Sequence, residues 1–301
     1  MKYVVTGGAG FIGTNLVNEL VKNGHEVHVI DNFSSGKKEN CNKNANYVEL
    51  DLSVNENLNS IKEIFEDSKS IFHLAAKARV QPSILNPNEY EKNNTLSTVN
   101  ILKAAVDANV KRVIYSSSSS VYGNTQKLPS LETDVLDPMS PYALQKYYGE
   151  LLCKQFSELY NIETICLRYF NVYGEFQQLG GAYSTVVGIF IDQLKKGLPL
   201  TINGSGQQKR DFTYVGDVVR ANILSSNSKK IFKGEVVNIG FGKNVSIINL
   251  AKKISKNRVF QDPLNEPEAN LAGIDKARQV LNWSPETTIF EWIEKELINA
   301  K

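Results

Sequence analysis

Two side chains with acid–base chemistry stand one helical turn apart within residues 140–146, Ser-Pro-Tyr-Ala-Leu-Gln-Lys. Pro141 suits a first helical turn and Ser140 suits its N-cap, so Tyr142 and Lys146 are expected on one helix face. A free tyrosine titrates near pH ~10, so a phenol acting as a base near neutrality needs its pKa lowered by about 3 units, roughly 4 kcal/mol. A lysine ammonium one turn away can supply much of this by stabilising the phenolate. The alternative is an incidental surface pair.

A run of five serines, residues 116–120, follows an apolar strand-like segment and precedes Val-Tyr-Gly. Open α/β sheets bind their ligands at the carboxyl ends of the strands. A hydroxyl at that position can hydrogen-bond a substrate hydroxyl or carbonyl oxygen and share its proton with a tyrosinate. The alternative is a flexible serine-rich loop.

A third stretch predicts where a dinucleotide would bind. Gly7, Gly10 and Gly13 follow an apolar, β-rich run and precede residues 11–21, in which apolar side chains recur at helical intervals. Strand, glycine turn and helix together place free amides and a helix dipole against a pyrophosphate. A Cβ at Gly7 or Gly10 would keep the backbone too far from it, and one at Gly13 would push the helix off the strand. The alternative is a purely structural turn.

Asp31 ends the next predicted strand, eighteen residues after Gly13, where a ribose-binding acid is expected. A carboxylate there favours the 2′-hydroxyl of NAD and repels the 2′-phosphate of NADP. Lys37 and Lys38 follow closely and weaken that discrimination. Asp51 and Leu52 come just after the third predicted strand, where they either meet an adenine ring or cap the next helix.

Strand and helix signals alternate through the first half of the chain, which predicts a parallel sheet covered on both faces. Strands are predicted at residues 2–6, 26–31, 47–49, 70–74, 112–116 and 163–167, and helices at 11–23, 57–65, 93–108 and 142–160. Beyond Arg168 the alternation loosens, with helices predicted at 184–196, 215–226, 247–255, 275–281 and 291–299 and strands at 200–202 and 235–239. We therefore expect an α/β fold, a Rossmann-type doubly wound parallel sheet with a smaller, interleaved C-terminal α/β lobe for the substrate. The cofactor domain would span 1–170, joined by segments near 211–240, and the lobe would span 171–301.

Composition excludes several classes of partner. The formal net charge of +2 over 301 residues does not suit a protein that neutralises a nucleic-acid backbone. The three cysteines have neither CxxC nor metal-ligand spacing, which predicts a reduced setting and no metal site. The first strand begins at residue 2, leaving no room for a signal peptide, and no apolar run reaches membrane-spanning length. A soluble cytoplasmic protein is expected.

These motifs together resemble the extended short-chain dehydrogenase/reductase family. The resemblance rests on the three glycines, Asp31, the serines before Val-Tyr-Gly, Ser-Pro-Tyr-x-x-x-Lys, residues 167–174 (Leu-Arg-Tyr-Phe-Asn-Val-Tyr-Gly) and residues 209–212 (Lys-Arg-Asp-Phe). It covers nearly the whole chain and is nearest to the nucleotide-sugar 4-epimerases of UDP-glucose, UDP-galactose or their N-acetyl forms. NAD is the cofactor that it implies.

By the same resemblance, Tyr142 is the acid/base, Lys146 its activator and a ribose ligand, and Ser118 the hydroxyl-binding serine, with Ser117 and Ser119 as close competitors. A nicotinamide cation would help to stabilise the phenolate. The implied cofactor-binding residues are Gly7, Gly10, Phe11, Ile12, Gly13, Asp31, Asn32, Ser35, Gly36, Asp51, Leu52, Leu74, Ala75, Ala76, Lys77, Asn93, Ser116, Tyr142, Lys146 and Phe170. The implied substrate-binding residues are Ser118, Tyr142, Asn171, Arg210 and Asn270, with Asn171 and Arg210 on the diphosphate.

Comparison with other members of the family indicates which reaction and which substrate this sequence favours. The related 4,6-dehydratases and decarboxylase carry an acid just before Val-Tyr-Gly, where this chain has Ser119 and Ser120. A second diphosphate-binding arginine, usual in the epimerases, is missing from residues 263–266, Pro-Leu-Asn-Glu. Asn270 stands where a bulky tyrosine restricts some epimerases to non-acetylated sugars, and residues 181–183, Gly-Ala-Tyr, resemble the N-acetyl-sugar branch.

The leading hypothesis is a UDP-sugar 4-epimerase with tightly bound NAD. A nucleotide-sugar 4-ketoreductase on the same scaffold is the enzymatic alternative, and an NAD-responsive binding protein without turnover is the alternative of another class. The helices at 93–108 and 142–160 resemble the dimer bundle of the family, which implies a homodimer.

Overall fold

A seven-stranded parallel sheet organises the computed structural model, which describes residues 1–180, 184–264 and 266–299. The sheet strands are β1 (Lys2–Thr6), β2 (Glu26–Asp31), β3 (Asn46–Glu49), β4 (Ser70–His73), β5 (Arg112–Ser118), β6 (Glu163–Tyr169) and, after four shorter strands, β11 (Lys233–Ile239). Their spatial order is β11-β6-β5-β4-β1-β2-β3. The order reverses between β1 and β4, which opens a crevice at the carboxyl ends of these two strands. The predicted doubly wound parallel sheet is confirmed.

Helices cover both faces of this sheet. They are α1 (Phe11–Lys22), α2 (Leu58–Phe65), α3 (Val80–Leu85), α4 (Pro87–Glu91), α5 (Ser97–Asp107), α6 (Pro141–Tyr160) and α8 (Val215–Asn227), with a π-helical turn at Lys92–Leu96 and 3-10 turns at Lys38–Asn40, Asn55–Asn57 and Ser119–Tyr122. Alternate residues of β1 enter different cores: Val5 packs with Leu16 and Val17 of α1, whereas Val4 packs with Ile61 of α2 and Ile101 of α5. Burial on both faces explains why the strands are almost continuously apolar.

The remaining elements build the smaller lobe and its links to the sheet. They are β7 (Val172–Tyr173), α7 (Val186–Lys195), β8 (Leu200–Asn203), β9 (Lys209–Asp211), β10 (Thr213–Tyr214), β12 (Asn244–Ser246), α9 (Ile247–Ile254), β13 (Arg258–Gln261), α10 (Asp275–Leu281) and α11 (Ile289–Asn299). A third hydrophobic core joins α7, α9 and α11 through Phe190, Leu250 and Ile293. Meanwhile β11 pairs with β6 and α8 packs on α1, so the chain returns from the lobe to the main sheet.

Two features of the fold go beyond the predicted elements. Residues 80–91, for which no element was predicted, fold into α3 and α4, although their prolines and asparagines gave no helical periodicity. The serine run is not a flexible loop, since β5 continues to Ser118 and pairs in parallel with β6 as far as Tyr169. Within the described ranges, no helix combines the length and apolarity that a membrane crossing needs.

Candidate active site

A cavity of about 1260 Å³ lies at the carboxyl ends of the parallel strands, between the sheet and the smaller lobe. Sites for one small ligand measure roughly 300–1000 Å³, so this cavity has room for a dinucleotide and a second ligand. Every residue assigned to the cofactor or the substrate from the sequence lines this cavity except Gly36. A Cβ on Gly36 would lie 2.8 Å from the Cβ of Ala9 and 3.1 Å from Oδ1 of Asp31, so this glycine lets the loop close over Asp31 and does not itself face the cavity.

The glycine turn leaves room for a pyrophosphate, although its glycines serve packing as well. Gly7 has φ +69, and a Cβ there would fall 2.7 Å from the backbone nitrogen of Ala75, so this position excludes side chains on two counts. A Cβ on Gly13 would meet the carbonyl oxygen of Gly7 at 2.1 Å, which confirms that it permits the close approach of α1 to the turn. Free amides at the start of α1 face the cavity, so these residues fit the phosphates of a dinucleotide.

Asp31 is held in place by two backbone amides. Its Oδ2 accepts from Ala9 at 2.9 Å and its Oδ1 from Phe33 at 2.8 Å. Burial raises the pKa of Asp31, while these two hydrogen bonds act in the opposite direction. The nearby lysines pair with other acids, Lys37 with Glu39 at 3.6 Å and Lys38 with Glu49 at 2.8 Å. This geometry fits a ribose carrying a free 2′-hydroxyl.

Side chains around the rest of the proposed cofactor region also have structural roles. Asp51 lines the cavity and caps a turn, because its Oδ1 accepts from the amide of Ser53 at 2.9 Å. The structure is therefore compatible with both interpretations of Asp51, as a contact of an adenine ring and as a cap. The side chain of Asn94, the neighbour of Asn93, brackets Lys77: its Oδ1 accepts from the amide of Lys77 at 2.7 Å and its Nδ2 donates to the carbonyl at 3.0 Å. Asn94 was not identified from the sequence.

The candidate base, Tyr142, behaves differently from the sequence expectation. Burial raises its pKa, whereas a hydrogen bond with Ser118 and the positive charge of Arg79 lower it. Lys146 donates from Nζ to the carbonyl oxygen of Ser116 at 2.8 Å, and burial lowers its own pKa to about 8. In the protein alone the ammonium of Lys146 is directed at the end of β5. That it helps to stabilise the phenolate, together with a bound nicotinamide cation, stays a prediction.

Of the two serines Ser117 and Ser118, geometry favours Ser118, and Ser119 stays a competitor because it also lines the cavity. Ser116 Oγ lies 3.0 Å from the hydroxyl of Tyr169, and Ser117 Oγ donates to Oε1 of Glu150 at 2.5 Å. Both hydroxyls are therefore occupied by buried partners, on opposite faces of β5. Ser118 lies beside the phenol of Tyr142 and accepts hydrogen bonds from the amide and hydroxyl of Ser120, at 3.2 and 3.0 Å.

Beneath this serine turn lies a buried ion pair. Arg168 donates from Nε and Nη2 to the two carboxylate oxygens of Glu150 at 2.8 and 2.7 Å, and from Nη1 to the hydroxyl of Tyr122 at 2.8 Å. Both charged side chains are 3% exposed. The pair links β6, α6 and the turn that follows Ser118, and it fixes their relative positions.

At the far end of the cavity, the proposed substrate residues contact one another. Asn171 donates from Nδ2 to the carbonyl of Asp211 at 2.7 Å and to Oδ1 of Asn270 at 3.1 Å. The same oxygen of Asn270 accepts from the amide of Asp211 at 2.8 Å. Arg210 pairs with Glu266, and its Nη2 lies 2.7 Å from Oε2. Glu266 belongs to residues 263–266, the segment in which the family's second arginine was expected, so this segment places a carboxylate against Arg210. Asn265 and residues 181–183 lie outside the described residues.

Phe170 is fully buried in the cavity wall, where its ring lies 6.0 Å from that of Tyr122. Phe170 stays a proposed contact of the nicotinamide, which would pack against the part of the cavity wall that contains this ring.

Comparison with known proteins agrees with this geometry. Residues 3–240 match the model of the NAD-dependent epimerase/dehydratase family. The chain belongs to this family. It is 38% identical over 97% of its length to a putative UDP-glucose 4-epimerase of Methanocaldococcus jannaschii, of which 96% is covered. The UDP-glucose 4-epimerase of Thermotoga maritima, solved with UDP-glucose, has a TM-score of 0.93 at 35% identity, covering 99% of this chain and 98% of that one.

A third relative, the UDP-glucuronic acid 4-epimerase of Bacillus cereus, was solved with UDP-glucuronic acid and NAD. It has a TM-score of 0.89 at 32% identity, covering 100% of this chain and 99% of that one. The resemblance to nucleotide-sugar 4-epimerases is confirmed, and NAD is the cofactor of the family.

Several site residues escaped the sequence analysis. Arg79 stands near Tyr142, Glu150 anchors the serine turn, and Glu266 pairs with Arg210. The sequence signal for Arg79 was its position three residues after the Ala75-Ala76 pair that follows β4. Glu150, four residues beyond Lys146 on the predicted helix, could have been found by following that helix face.

Proposed function

We propose that this protein interconverts the C4 epimers of a UDP-sugar through a 4-keto intermediate. UDP-glucose and UDP-galactose, or their N-acetyl forms, are the candidate pairs. The observation that carries the proposal is the contact of Ser118 with Tyr142 inside the same cavity as the glycine turn and Asp31. One cavity thus brings an acid/base pair to the place where a dinucleotide fits.

When bound, NAD supplies the redox chemistry, in which the hydrogen on C4 of the sugar is accepted and later returned. The chain supplies the proton chemistry. Tyr142, as phenolate, takes the proton of the 4-hydroxyl and gives it back after the 4-keto sugar has turned over in the pocket. Ser118 hydrogen-bonds the same oxygen of the sugar. Burial raises the pKa of Tyr142, and the hydrogen bond with Ser118 and the charge of Arg79 oppose that rise. Lys146, whose Nζ lies 2.8 Å from the carbonyl oxygen of Ser116 and which lines the cavity, is the proposed ribose ligand.

The opposite end of the cavity suits the diphosphate. The guanidinium of Arg210 provides a fork of donors for phosphate oxygens, and Asn171 lies beside it in the cavity lining. Asn270 uses Oδ1 for Asn171 and Asp211, so its Nδ2 is the group that it can offer to the sugar. We retain Asn270 as the residue opposite the C2 substituent.

Epimerisation is favoured over elimination or decarboxylation. Those reactions need a carboxylate near the sugar, and both positions before Val121 are serines in a 3-10 turn that lines the cavity. The sugar end of the cavity therefore lacks, at these positions, the acid that such chemistry requires.

We also propose that the chain forms a homodimer through α6. Leu144, Tyr148 and Leu151 are exposed at helical spacing on the face of α6 directed away from the sheet. An exposed apolar stripe of this kind is typical of an interface between helices. Replacing Leu151 with glutamate is expected to reduce the mass measured by light scattering to that of a monomer.

The test of the proposed activity is epimer interconversion by purified protein without added reductant. Wild type is expected to equilibrate the C4 epimers, and Tyr142→Phe is expected to lose at least about 100-fold in rate, as for removal of a general base. Tyr160→Phe is the matched control, since Tyr160 is exposed at the end of the same helix. Stoichiometric loss of reduced cofactor during turnover would instead identify a ketoreductase, and binding without turnover on a broad panel of nucleotide sugars would identify a binding protein.

A further inference from the structure

The loop that joins β4 to α3, residues 74–79, lines the cavity and lies directly against the glycine turn. A Cβ on Gly7 would fall 2.7 Å from the nitrogen of Ala75, and that amide donates to the hydroxyl of Thr6 at 3.2 Å. The loop ends at Arg79, whose φ of 93 is a strained conformation that persists only where the surroundings enforce it. The course of this loop therefore depends on contacts from outside it.

The middle of the loop is held by one buried side chain, that of Asn94. Its Oδ1 accepts from the amide of Lys77 at 2.7 Å, and its Nδ2 donates to the carbonyl oxygen of Lys77 at 3.0 Å. Nδ2 also donates to Oε1 of Gln145 at 3.0 Å. If the side-chain amide were rotated by 180°, its NH2 group would face the N–H of Lys77 and these bonds would be lost. The hold on the loop thus depends on the orientation of Asn94.

Gln145 determines that orientation. It is buried on α6, in the turn between the candidate base and Lys146. Its Nε2 donates to Oε2 of Glu91 at 3.2 Å, and a carboxylate can only accept hydrogen bonds. Glu91 therefore directs Nε2 of Gln145 towards itself, which leaves Oε1 to accept from Asn94. We call Glu91, Gln145 and Asn94 the amide relay.

The amide relay acts on the backbone of the loop from behind the cavity wall. Its three residues do not belong to the cavity lining found among the described residues. The side chain of Lys77 is held separately, with Nζ 3.0 Å from Oε1 of Glu89. A ligand in the cavity would therefore contact the loop and not the relay.

We propose that Gln145 is a positioning residue for the cofactor, which keeps Asn94 in the orientation that holds the loop 74–79 against bound NAD. The inference rests on the proposed function, because it takes residues 74–77 to contact NAD. Since α6 carries Gln145 as well as Tyr142, the same contact fixes the loop relative to the candidate base. Loss of the relay is expected to weaken NAD binding while the far end of the cavity keeps its structure.

Replacing Gln145 with glutamate tests the direction of the relay. One carboxylate oxygen can still accept from Asn94, but the other would face the carboxylate of Glu91, and two such charges repel each other. Adding Glu91→Gln returns a donor to that position. The double variant therefore restores an unbroken row of hydrogen bonds, whereas Gln145→Glu alone interrupts it.

The experiment titrates NAD into the full chain, followed by fluorescence, and measures the KM for a UDP-hexose in the same variants. Gln145→Glu is expected to raise the dissociation constant of NAD about 10-fold, the order of one lost hydrogen bond. The double variant is expected to recover at least about 3-fold of this loss, because the two positions are coupled. Glu91→Gln alone and Gln155→Glu, the same change on an exposed part of α6, are expected to bind NAD within about 2-fold of wild type.

The KM for the UDP-hexose separates a positioning role from general damage to the fold. It is expected to stay within about 2-fold of wild type in every variant, because the relay supports the loop on the NAD side only. If Gln145→Glu does not fold, Gln145→Met removes the acceptor without adding a charge, and NAD binding as tight as in wild type then overturns the inference.

Wild-type affinity for NAD in Gln145→Glu, no recovery in the double variant, or a KM for the UDP-hexose that rises in parallel with the dissociation constant of NAD also overturns the inference. These results leave the proposed activity standing. That activity fails instead if wild type binds NAD and interconverts no C4 epimers, and the NAD titration then still tests the role of Gln145.

Discussion

Arg210 and Glu266 form an ion pair, 2.7 Å from Nη2 to Oε2, in the wall where the substrate's diphosphate is proposed to bind. The arginine side chain is 10% exposed and the glutamate 38%. A diphosphate that binds Arg210 therefore has to displace a carboxylate from the guanidinium. The second arginine expected from the family is absent from this segment or shifted in the sequence, and if it is absent we expect Arg210 to carry more of the phosphate recognition.

The first prediction is that Glu266→Gln binds UDP more tightly than wild type. Removing the competing carboxylate is expected to lower the dissociation constant about 2- to 5-fold, which corresponds to an ion pair of ~0.4–1 kcal/mol. Isothermal titration calorimetry measures this. Glu268→Gln, two residues further along, serves as the control and is expected to bind UDP as wild type does. Weaker binding in Glu266→Gln would show that Glu266 supports the phosphate site.

The second prediction concerns the buried pair of Glu150 and Arg168. Glu150→Gln leaves the guanidinium of Arg168 without its counter-charge, and the free energy of unfolding is expected to fall by about 3–5 kcal/mol. Urea denaturation measures the change. Glu158→Gln, on the exposed face of the same helix, is expected to change it by less than about 0.5 kcal/mol. Equal stabilities of the two variants would contradict a structural role for the pair.

The third prediction is a loss of stability in acid caused by His73. Its Nδ1 lies 2.8 Å from Oγ1 of Thr6 and its Nε2 lies 3.1 Å from Oγ1 of Thr98, and burial, with a further effect of Lys146, lowers its pKa to about 3. The unfolded chain, with a pKa near ~6.5, therefore binds the proton more readily than the folded one. The contribution of neutral His73 to the free energy of unfolding is complete above the pKa of the unfolded chain. It falls as the pH drops from about 6.5 towards 3, by up to about 1.4 kcal/mol per pH unit. Denaturation at pH 7 and pH 5 should show a smaller loss in His73→Asn than in wild type, and equal losses would contradict the assignment.

The fourth prediction concerns the choice of cofactor. Asp31→Asn removes the negative charge from the proposed ribose site and disturbs the hydrogen bonds with Ala9 and Phe33. NAD affinity is expected to fall about 10-fold or more, the effect of one hydrogen bond to a charged group, and the preference for NAD over NADP is expected to shrink. Fluorescence titration with both cofactors measures this. Wild-type binding of NADP as tight as that of NAD would mean that Lys37 and Lys38 outweigh Asp31.

Much of the fold was readable from the sequence because its strands are buried on both faces. Continuous apolar runs such as residues 3–5 and 113–115 predict the parallel sheet, and Gly13 indicates the close approach of α1 to the turn. Five short strands, β7, β9, β10, β12 and β13, were not predicted because so few residues show no periodicity. Their pairing depends on contacts between distant segments.

The site was predictable in its residues and less so in its electrostatics. The spacing of Tyr142 and Lys146 placed both on one helix, yet helix spacing does not say where a long lysine side chain is directed. Lys146 reaches Ser116, and the charge near the phenol comes from Arg79, 63 residues earlier in the chain. A left-handed φ at an arginine has no sequence signature, so this contact appears only in three dimensions.

The most direct test of a hydrogen transfer that begins and ends at C4 is an isotope experiment. A UDP-hexose carrying deuterium at C4 is incubated with purified protein in ordinary water, without added cofactor, and the product epimer is analysed by NMR. We expect the product to keep the deuterium at C4, because the hydrogen leaves and returns within one closed site while Tyr142 handles only the hydroxyl proton. Deuterium lost to water, or appearing in a free reduced cofactor, would contradict this mechanism.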